Sequence, residues 1–382
     1  MPPLSFDLLK TDGHARLGKV TTPHGDFDTP MFMPVGTQAT VKGLTPQMVE
    51  ECGAKIILGN TYHLALRPGA DIVAEMGGLH KFMSWPGAIL TDSGGYQIFS
   101  LATQRKITDK SAVFRSHIDG ALLELSPESA VDIQEKLGSD IAMVLDECPP
   151  GLAEPGVVRE AMRRSILWAK RCQDAHRRSD QAQFAIVQGG LNTQWRIECA
   201  EELKKLDFPG YALGGFSVGE PTEAMLSVLG ESAAALPVNK PRYLMGVGKP
   251  EDILAGIARG IDMFDCVMPT RNGRNAQALT WSGTLRMRNA MHKRSELPLD
   301  ANCQCYTCRK FTRAYLNHLF HADEMLGPTL ISLHNVHFYL DLVAQARAAI
   351  GEGRYASFLN DNLVRWRAST YNEKSEEAHE TP

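Results

Sequence analysis

The stretch Phe184-Ala185-Ile186-Val187-Gln188-Gly189-Gly190 shows the pattern from which the fold can be predicted. Four apolar residues are followed by one polar side chain and two glycines. A short, continuously apolar run bounded by turn residues is typical of a strand that is buried on both faces of a parallel sheet. The segment that follows, 193–206, is predicted to be helical, so the stretch indicates one strand–helix unit.

Seven further apolar runs repeat this pattern, each followed by a polar or glycine cluster and then by a helical stretch. They are residues 31–35, 55–58, 88–90, 141–145, 211–213, 243–245 and 261–264. Eight strand–helix alternations favour an α/β fold of the closed (β/α)8 TIM-barrel type over an open sheet. No Gly-X-Gly-X-X-Gly motif follows the first strand, so a dinucleotide-binding fold is not indicated.

The composition of the 382 residues, 43% hydrophobic and 22% charged, excludes a disordered or collagen-like chain. No apolar run approaches the roughly 18 residues of a membrane span, and the N-terminus lacks the pattern of a signal peptide. The chain has eight cysteines, five of them scattered, which does not resemble a secreted disulfide framework. We therefore expect a cytoplasmic protein that does not associate with membranes.

Two regions depart from the alternation. Residues 94–126 are long and polar, and His117-Ile118-Asp119-Gly120 predicts a hairpin turn within an active-site loop. The other departure lies between the last predicted strand and the C-terminus. The expected organisation is a barrel with an N-terminal segment over 1–270, an inserted zinc-binding and basic subdomain over 271–335, closing C-terminal helices over 336–368 and a disordered tail over 369–382.

Charge is distributed unevenly along the chain. Residues 271–313 contain nine Lys or Arg and two acidic residues, a local charge of +7 that leaves −11 for the rest of a chain whose total is −4. A basic stretch on an acidic body suggests a surface for a polyanion such as nucleic acid, although a solvated basic face is the simpler alternative.

A cluster of thiols lies within this region. Cys303, Cys305 and Cys308 stand within six residues, and 25 residues separate the last of them from His334. Three thiolates and one imidazole complete a tetrahedral zinc shell with no open position, which predicts a structural zinc ion and not a catalytic one. His337 competes with His334 for the fourth position, and the alternative is a chance group of unpaired cysteines.

Four acidic or amide side chains follow predicted strands: Asp92, Asp146, Gln188 and Asp265. In a barrel these ends converge on the active site, although any single residue can be a helix cap. Two carboxylates near one anomeric carbon suit glycosidic exchange, one as nucleophile and one handling protons. Asp146 and Gln188 offer acceptors and a donor that fit the amide-and-amine edge of a purine.

These motifs carry a resemblance to a known family. Its segments here are 91–97 (Thr-Asp-Ser-Gly-Gly-Tyr-Gln), 146–149 (Asp-Glu-Cys-Pro), 187–190 (Val-Gln-Gly-Gly), 244–248 (Leu-Met-Gly-Val-Gly), 265–271 (Asp-Cys-Val-Met-Pro-Thr-Arg) and the Cys-X-Cys-X2-Cys-X25-His pattern. From about residue 4 to residue 367 the chain resembles the queuine tRNA-ribosyltransferases, also called tRNA-guanine transglycosylases. The resemblance implies a (β/α)8 barrel with an inserted zinc subdomain.

The resemblance also implies roles for individual residues. Asp265 would be the nucleophile that attacks the ribose, and Asp92 the general acid/base. The base would be held by Asp92, Ser93, Gly94, Gly95, Tyr96, Asp146, Gln188, Gly215 and Met245. The tRNA anticodon loop would be contacted by Gly246, Val247, Gly248, Lys249, Pro250, Glu251, Asp252, Thr270, Arg271, Asn272, Gly273 and Arg274. One structural zinc ion per chain and a homodimer that meets near the zinc subdomain are further expectations.

Two residues bear on the incoming base. Val218 stands where family members that use queuine have glycine, and Cys148 follows the bacterial pattern. The resemblance therefore implies exchange of guanine for 7-aminomethyl-7-deazaguanine (preQ1) at the wobble position of tRNAs with G-U-N anticodons, a step of queuosine biosynthesis. The departures from the family pattern are Phe216-Ser217 in the base-binding region and Asn272 and Asn275 in the basic loop.

Two other functions remain as alternatives at this stage. A barrel glycoside hydrolase would use the same pair of carboxylates, but the five tryptophans do not lie in the strand-end clusters, where aromatic sugar platforms are usual. A zinc-stabilised RNA-binding protein without activity would leave Asp92, Asp146, Gln188 and Asp265 unexplained. Incorporation of labelled guanine into tRNA distinguishes the three.

Overall fold

The structure is a computed structural model that describes residues 2–101, 105–116 and 118–379. The chain begins with an antiparallel sheet of three strands, which sequence analysis did not predict. Its strands are β1 (Ser5–Asp12), β2 (Ala15–Thr22) and β3 (Gly25–Thr29).

Eight parallel strands then form a closed barrel, in which the last strand pairs with the first. They are β4 (Met31–Gly36), β5 (Ile56–Gly59), β6 (Ala88–Thr91), β10 (Ile141–Met143), β11 (Ala182–Val187), β12 (Gly210–Leu213), β13 (Arg242–Leu244) and β14 (Met263–Cys266). Each coincides with one of the eight predicted runs, so the (β/α)8 prediction is confirmed. All six residues of β11 are buried, as expected for a strand covered on both faces.

Helices connect the barrel strands and cover them on the outside. Those between β4 and β14 are α1 (Pro46–Glu51), α2 (Thr61–Leu66), α3 (Ala70–Glu75), α4 (Gly78–Met83), α5 (Gly95–Leu101), α6 (Pro127–Leu137), α7 (Pro155–Ala175), α8 (Thr193–Lys204), α9 (Thr222–Ala234) and α10 (Pro250–Ile257). Local sequence defines their ends. The Ser126 side chain accepts a hydrogen bond from the Ser129 backbone at the start of α6, and Gly138, at φ 71°, ends that helix.

The long connection after β6 contains more structure than the single predicted hairpin. It begins with α5 and continues as a three-stranded antiparallel sheet of β7 (Arg105–Ile107), β8 (Ala112–Arg115) and β9 (Leu122–Leu125). The predicted turn lies between β8 and β9, where Gly120 has φ 75°. His117, the first residue of that turn, lies outside the described residues.

The segment after β14 forms a small layer with its own apolar core, built from residues such as Met287, Leu299, Leu316 and Phe320. Its elements are α11 (Met268–Arg274), the antiparallel pair β15 (Gln277–Thr280) and β16 (Gly283–Arg286), a 3₁₀ turn (Ala290–His292), α12 (Tyr306–Lys310) and α13 (Arg313–His321). The chain ends with α14 (Leu326–Glu352) and α15 (Tyr355–His379).

The structure places the ends of this segment differently from the predicted boundaries. Position 271 falls inside α11, and the predicted break between 335 and 336 falls inside α14, which is continuous over 27 residues. Helix α14 is shared because it packs against α11, α12, α13 and β15 of the insert and also against β4 of the barrel and β1 and β2 of the N-terminal sheet.

The final helix extends further than the sequence suggests. Residues 369–379, predicted to be disordered, continue α15 to His379, while 380–382 lie outside the described residues. Adding residues to an existing helix costs far less than starting one, and Glu, Lys and Ala in this segment are good helix formers. Among the described helices, none combines the length and apolar character needed to cross a membrane.

Candidate active site

Asp92 directly follows β6 and is held by the end of the neighbouring strand. Its Oδ2 accepts a hydrogen bond from Asn60 Nδ2 at 2.5 Å, and its Oδ1 accepts one from the Thr61 backbone N–H at 2.9 Å. Gln97 Nε2 lies 3.3 Å from the same Oδ2. All three donors are neutral, so they fix the orientation of the carboxyl group without adding a compensating charge.

Asp265 lies in β14 on the same face of the barrel. Its Oδ1 accepts two hydrogen bonds, from the Tyr243 hydroxyl at 2.5 Å and from the Gly246 backbone N–H at 2.8 Å. No described residue donates a hydrogen bond to Oδ2. One oxygen is therefore anchored, and the other retains its lone pairs for a ligand.

Asp146 and Gln188 form a buried pair beyond β10 and β11. Gln188 Nε2 donates to Asp146 Oδ2 at 2.7 Å, and the Ser93 hydroxyl donates to Asp146 Oδ1 at 2.9 Å. The remaining amide oxygen, Gln188 Oε1, is buried and accepts no hydrogen bond from the described residues. A buried acceptor without a donor is costly, which marks this atom as a site for a ligand N–H.

Two glycines keep space open around this pair. Gly215 has φ 68°, and a Cβ atom there would lie 2.4 Å from Gln188 Oε1. A Cβ atom on Gly95 would lie 2.5 Å from the Asp146 carbonyl oxygen. Both positions need glycine because a side chain would displace the groups that face the site.

Burial raises the pKa of all three carboxyl groups. The pKa of Asp92 rises to about 7, mainly because burial disfavours its charged form and also because Asp265 and Asp146 are close. Burial likewise raises the pKa of Asp146 and of Asp265. Hydrogen bonds from Gln188 and Ser93 oppose this rise at Asp146. Hydrogen bonds from Tyr243 and Gly246 oppose it at Asp265. Asp92 can therefore exchange a proton near neutral pH, as a general acid/base requires.

The other predicted base-site residues surround these groups to different extents. Ser93 is buried and bonded to Asp146, and Gly94 precedes Gly95 in the turn that leads into α5. Tyr96 is 47% exposed at the rim, whereas Met245, just beyond β13, is half-buried and packs against the core. Their side chains can cover a flat ligand from the rim and from the barrel, respectively.

The structure divides the predicted RNA-contacting residues into two groups. Gly246, Lys249, Glu251, Arg271 and Arg274 are exposed, with Pro250 and Asn272 half-buried. The others are buried and do not form the surface: Val247, Gly248, Asp252, Thr270 and Gly273. Gly246 also has a second role, since its backbone N–H holds Asp265.

Sequence reasoning missed the residues that support the carboxylates. Asn60 and Thr61 follow a predicted strand, so the sequence placed them at the barrel mouth. It did not predict that both would donate hydrogen bonds to Asp92. Tyr243 lies inside a strand and gave no signal. Its hydroxyl is buried beside Asp265, and burial together with that carboxylate raises its pKa well above the usual value, so it stays a donor.

Arg196 was also missed, because arginine in a helix usually faces water. It is fully buried, donates from Nε to the Gly190 carbonyl at 2.6 Å and from Nη2 to the Gly214 carbonyl at 3.0 Å. Its guanidinium also stacks on Phe216, with 3.6 Å between the guanidinium carbon and the ring centroid. It thereby joins the two glycine-rich loops that border Gln188.

A second cluster lies in the insert, where Cys303, Cys305, Cys308 and His334 converge. The His334 Nδ1 atom is 3.3–3.6 Å from the three sulfur atoms, and its Nε2 atom lies 2.8 Å from the Leu279 carbonyl. A proton on Nε2, donated to that carbonyl, leaves the lone pair of Nδ1 directed at the thiols. These four residues can hold a metal ion, and His337 is not part of the cluster.

Comparison with known proteins agrees with this geometry. The family model for queuine tRNA-ribosyltransferase matches residues 11–368. The chain is 54% identical to a queuine tRNA-ribosyltransferase of Moorella thermoacetica over 96% of this chain and 99% of that protein. It is 53% identical to one of Geobacillus thermodenitrificans, over 98% and 99% respectively. A relative with the same name from Herpetosiphon aurantiacus is 54% identical, over 95% of this chain and 93% of its own length. The chain therefore belongs to the queuine tRNA-ribosyltransferase family.

Proposed function

We propose that this protein is a tRNA-guanine transglycosylase that exchanges the wobble guanine of tRNAs with G-U-N anticodons for preQ1, through a covalent ribosyl-aspartate intermediate. The observation that carries the proposal is the pairing of two differently held carboxyl groups at one barrel mouth. Asp265 offers an anchored carboxylate with one unbonded oxygen, and Asp92 has a pKa of about 7.

The exchange takes two displacements at the ribose C1′ atom. In the first, Asp265 Oδ2 forms a bond to C1′ while the bond from C1′ to guanine breaks, and protonated Asp92 gives its proton to the departing base. In the second, the nitrogen of the incoming base bonds to C1′, the ester bond to Asp265 breaks, and the Asp92 carboxylate takes the proton that the base loses. Two displacements retain the configuration at C1′, and Asp92 ends in its starting form.

Recognition of the base is assigned to Asp146 and Gln188. A guanine-like edge presents N–H and NH2 donors beside a carbonyl acceptor. The Asp146 carboxylate keeps unused lone pairs after bonding to Ser93 and Gln188, and Gln188 Oε1 is an unpaired buried acceptor. An adenine-like edge would leave these acceptors without donors, at a cost that favours guanine and its analogues.

The proposed choice of preQ1 over queuine rests on Val218 and the loop that carries it. Val218 accepts a hydrogen bond at its carbonyl from the Gly151 N–H, 3.2 Å away, which joins its loop to the one that carries Cys148. The Glu220 carboxylate fixes the same loop by accepting bonds from the Ser217 and Val218 backbone N–H groups. The family resemblance places Val218 beside the arm of the incoming base, where a valine on a loop fixed in this way would leave less space than glycine for the cyclopentenediol of queuine.

The tRNA is expected to approach over the exposed part of the predicted RNA surface. Lys249, Arg271 and Arg274 supply positive charge there, and α11 carries both arginines directly after the strand that holds Asp265. Phosphate groups next to the wobble nucleotide would then lie close to the nucleophile. Neutralising these phosphate charges increases the affinity for tRNA but does not distinguish one nucleotide sequence from another. Selection of the nucleotide is therefore left to the base pocket.

We propose that the metal ion of the cysteine–histidine cluster is zinc, because Cys3His shells bind it in closed tetrahedral geometry. The cluster joins α12 to α14, since Cys303 and Cys305 precede the short helix, Cys308 lies within it and His334 lies in the long one. It therefore holds the insert against the barrel.

The insert also presents an exposed aromatic surface, defined by Tyr306, Phe311 and Tyr315. The ring centroids of Phe311 and Tyr315 are 5.4 Å apart, and Tyr306 and Tyr315 are 46% and 39% exposed. Exposed aromatic groups of this kind are typical of protein–protein interfaces. We propose that two copies of the chain meet there as a homodimer, one binding the anticodon loop while its partner supports the tRNA.

The first prediction tests the two carboxylates. Asp265→Asn removes the nucleophile and is expected to reduce exchange on the order of 10⁴-fold or more and to abolish a covalent tRNA adduct on denaturing gels. Asp92→Asn is expected to slow exchange by about 10²- to 10⁴-fold while tRNA binding changes little. In single turnover, guanine release by the wild type falls as pH rises through about 7, since it needs protonated Asp92.

The control for this prediction is Asp207→Asn, because Asp207 is exposed and precedes β12, at the opposite end of that strand from Gly215. It is expected to retain wild-type exchange and the same pH profile. Near-wild-type turnover of Asp265→Asn would show that the nucleophile is assigned to the wrong residue.

The second prediction concerns the incoming base. Overpacking by a valine costs roughly 1–3 kcal/mol, so we expect queuine to compete with labelled guanine about ten- to a hundredfold less well than preQ1 does. Val218→Gly is expected to narrow this difference. Equal inhibition of the wild type by both bases would refute the assignment of preQ1.

The third prediction concerns the metal. Elemental analysis is expected to find zinc in the cysteine–histidine cluster of the wild type and to find that site empty in Cys308→Ala, which should also unfold at lower temperature and bind tRNA more weakly. His337→Gln serves as the matched control and should retain that zinc ion. A fully active preparation without any zinc would contradict the assignment.

The fourth prediction concerns the aromatic surface. Light scattering at micromolar concentration is expected to give twice the 42.0 kDa of one chain. Tyr315→Ala, which removes an exposed ring, should shift this mass toward the monomer without changing the zinc content. A wild-type mass of one chain would refute the dimer.

A further inference from the structure

A second group of side chains that could hold a metal ion lies at the opposite end of the barrel from the active site. It comprises His24, His80 and Asp140, whose ligand atoms all lie within 4.8 Å of one another. Asp140 directly precedes β10, whereas Asp146 lies beyond the end of that strand. The reaction at the barrel mouth makes no use of this cluster.

The three residues come from separate parts of the fold. His24 is in the turn between β2 and β3 of the N-terminal sheet, His80 is in α4, and Asp140 directly precedes β10. His24 Nδ1 lies 2.7 Å from Asp140 Oδ1, and His80 Nε2 lies 3.1 Å from Asp140 Oδ2. The two imidazole rings stack with 3.5 Å between centroids and 15° between planes.

We propose that this cluster is a second metal site, which binds a divalent transition ion such as zinc through two imidazoles and one carboxylate. Imidazole nitrogen with carboxylate oxygen is a donor set that zinc and its neighbours in the first transition row accept. The site keeps at least one position for water, because the His24 side chain is 41% exposed.

The surroundings of Asp140 suit a ligand that must be held in place. Its side chain is 1% exposed, and its Oδ2 accepts a hydrogen bond from the Ile89 backbone N–H at 2.8 Å. A backbone donor of this kind orients a liganding carboxylate. A nearby cation stabilises a buried carboxylate, and a divalent ion would add to the stabilisation that the histidine and backbone hydrogen bonds already give Asp140.

The local charge also favours a cation. Asp180 interacts electrostatically with His24, and Arg178 pairs with Asp180 through two hydrogen bonds of 2.7 and 2.8 Å. With neutral histidines, Asp140, Asp180 and Arg178 together carry a formal charge of −1. An ion here would tie the N-terminal sheet to the bottom of the barrel, so the consequence is stability and not catalysis.

The test counts metal ions on the full-length protein whose cysteine–histidine cluster already holds zinc. After equilibrium dialysis against excess Zn²⁺, we expect two zinc ions per wild-type chain and one in His24→Gln and in His80→Gln. His14→Gln is the matched control, because His14 is an exposed histidine in the other hairpin turn of the same sheet. It should retain both ions. Guanine exchange should be the same in all four proteins.

A second measurement does not depend on the variants. Co²⁺ added to wild type that holds zinc only in its cysteine–histidine cluster should give visible d–d absorption without a thiolate charge-transfer band, and Zn²⁺ added to the same protein should raise its unfolding temperature but not that of His24→Gln. One zinc ion per wild-type chain, or no Co²⁺ absorption, would overturn the proposal. So would a second ion that persists in both His24→Gln and His80→Gln.

Discussion

The desolvation of carboxyl groups at the barrel mouth is the constraint on which the rest of the site depends. Asp92, Asp146 and Asp265 are removed from water by the strands that carry them, and this raises the pKa of each. Full countercharges would make all three permanently ionised and of similar strength. The fold instead surrounds them with neutral donors, which differ in number and kind. The three groups therefore acquire different proton affinities within one small volume, and different chemistry becomes available to each.

The architecture was accessible from sequence because it depends on patterns that repeat. Each barrel strand is a short apolar run, and each run ends in polar or glycine residues, so both the fold and the location of Asp92, Asp146, Gln188 and Asp265 follow from periodicity and from the geometry of parallel barrels. The spacing of the three cysteines and His334 likewise predicted that these four residues would form one cluster. The detailed roles came from resemblance to a family and not from the pattern itself.

The features that sequence analysis did not predict depend on contacts between distant segments. Tyr243 lies in an ordinary buried strand, and only the assembled barrel brings its hydroxyl to Asp265. Arg196 is polar and lies in a helix, which favours an exposed position, yet it is buried, where two loop carbonyls accept its hydrogen bonds and Phe216 stacks on its guanidinium. Likewise, His24 and His80 are far apart in sequence, and only the folded chain brings both of them to Asp140.

Helix α14 lies late in the chain, after all the residues that are assigned to the reaction. Every residue assigned to chemistry or base recognition lies before position 266, yet the barrel is completed by a helix that begins at Leu326. Tyr339 on that helix packs against Phe32 of the first barrel strand and donates a hydrogen bond to the Gly248 carbonyl. A nascent chain that has already emerged with all its catalytic groups therefore lacks the helix that supports them. Activity is therefore expected to require the chain through α14, although every residue assigned to chemistry precedes that helix by some sixty positions.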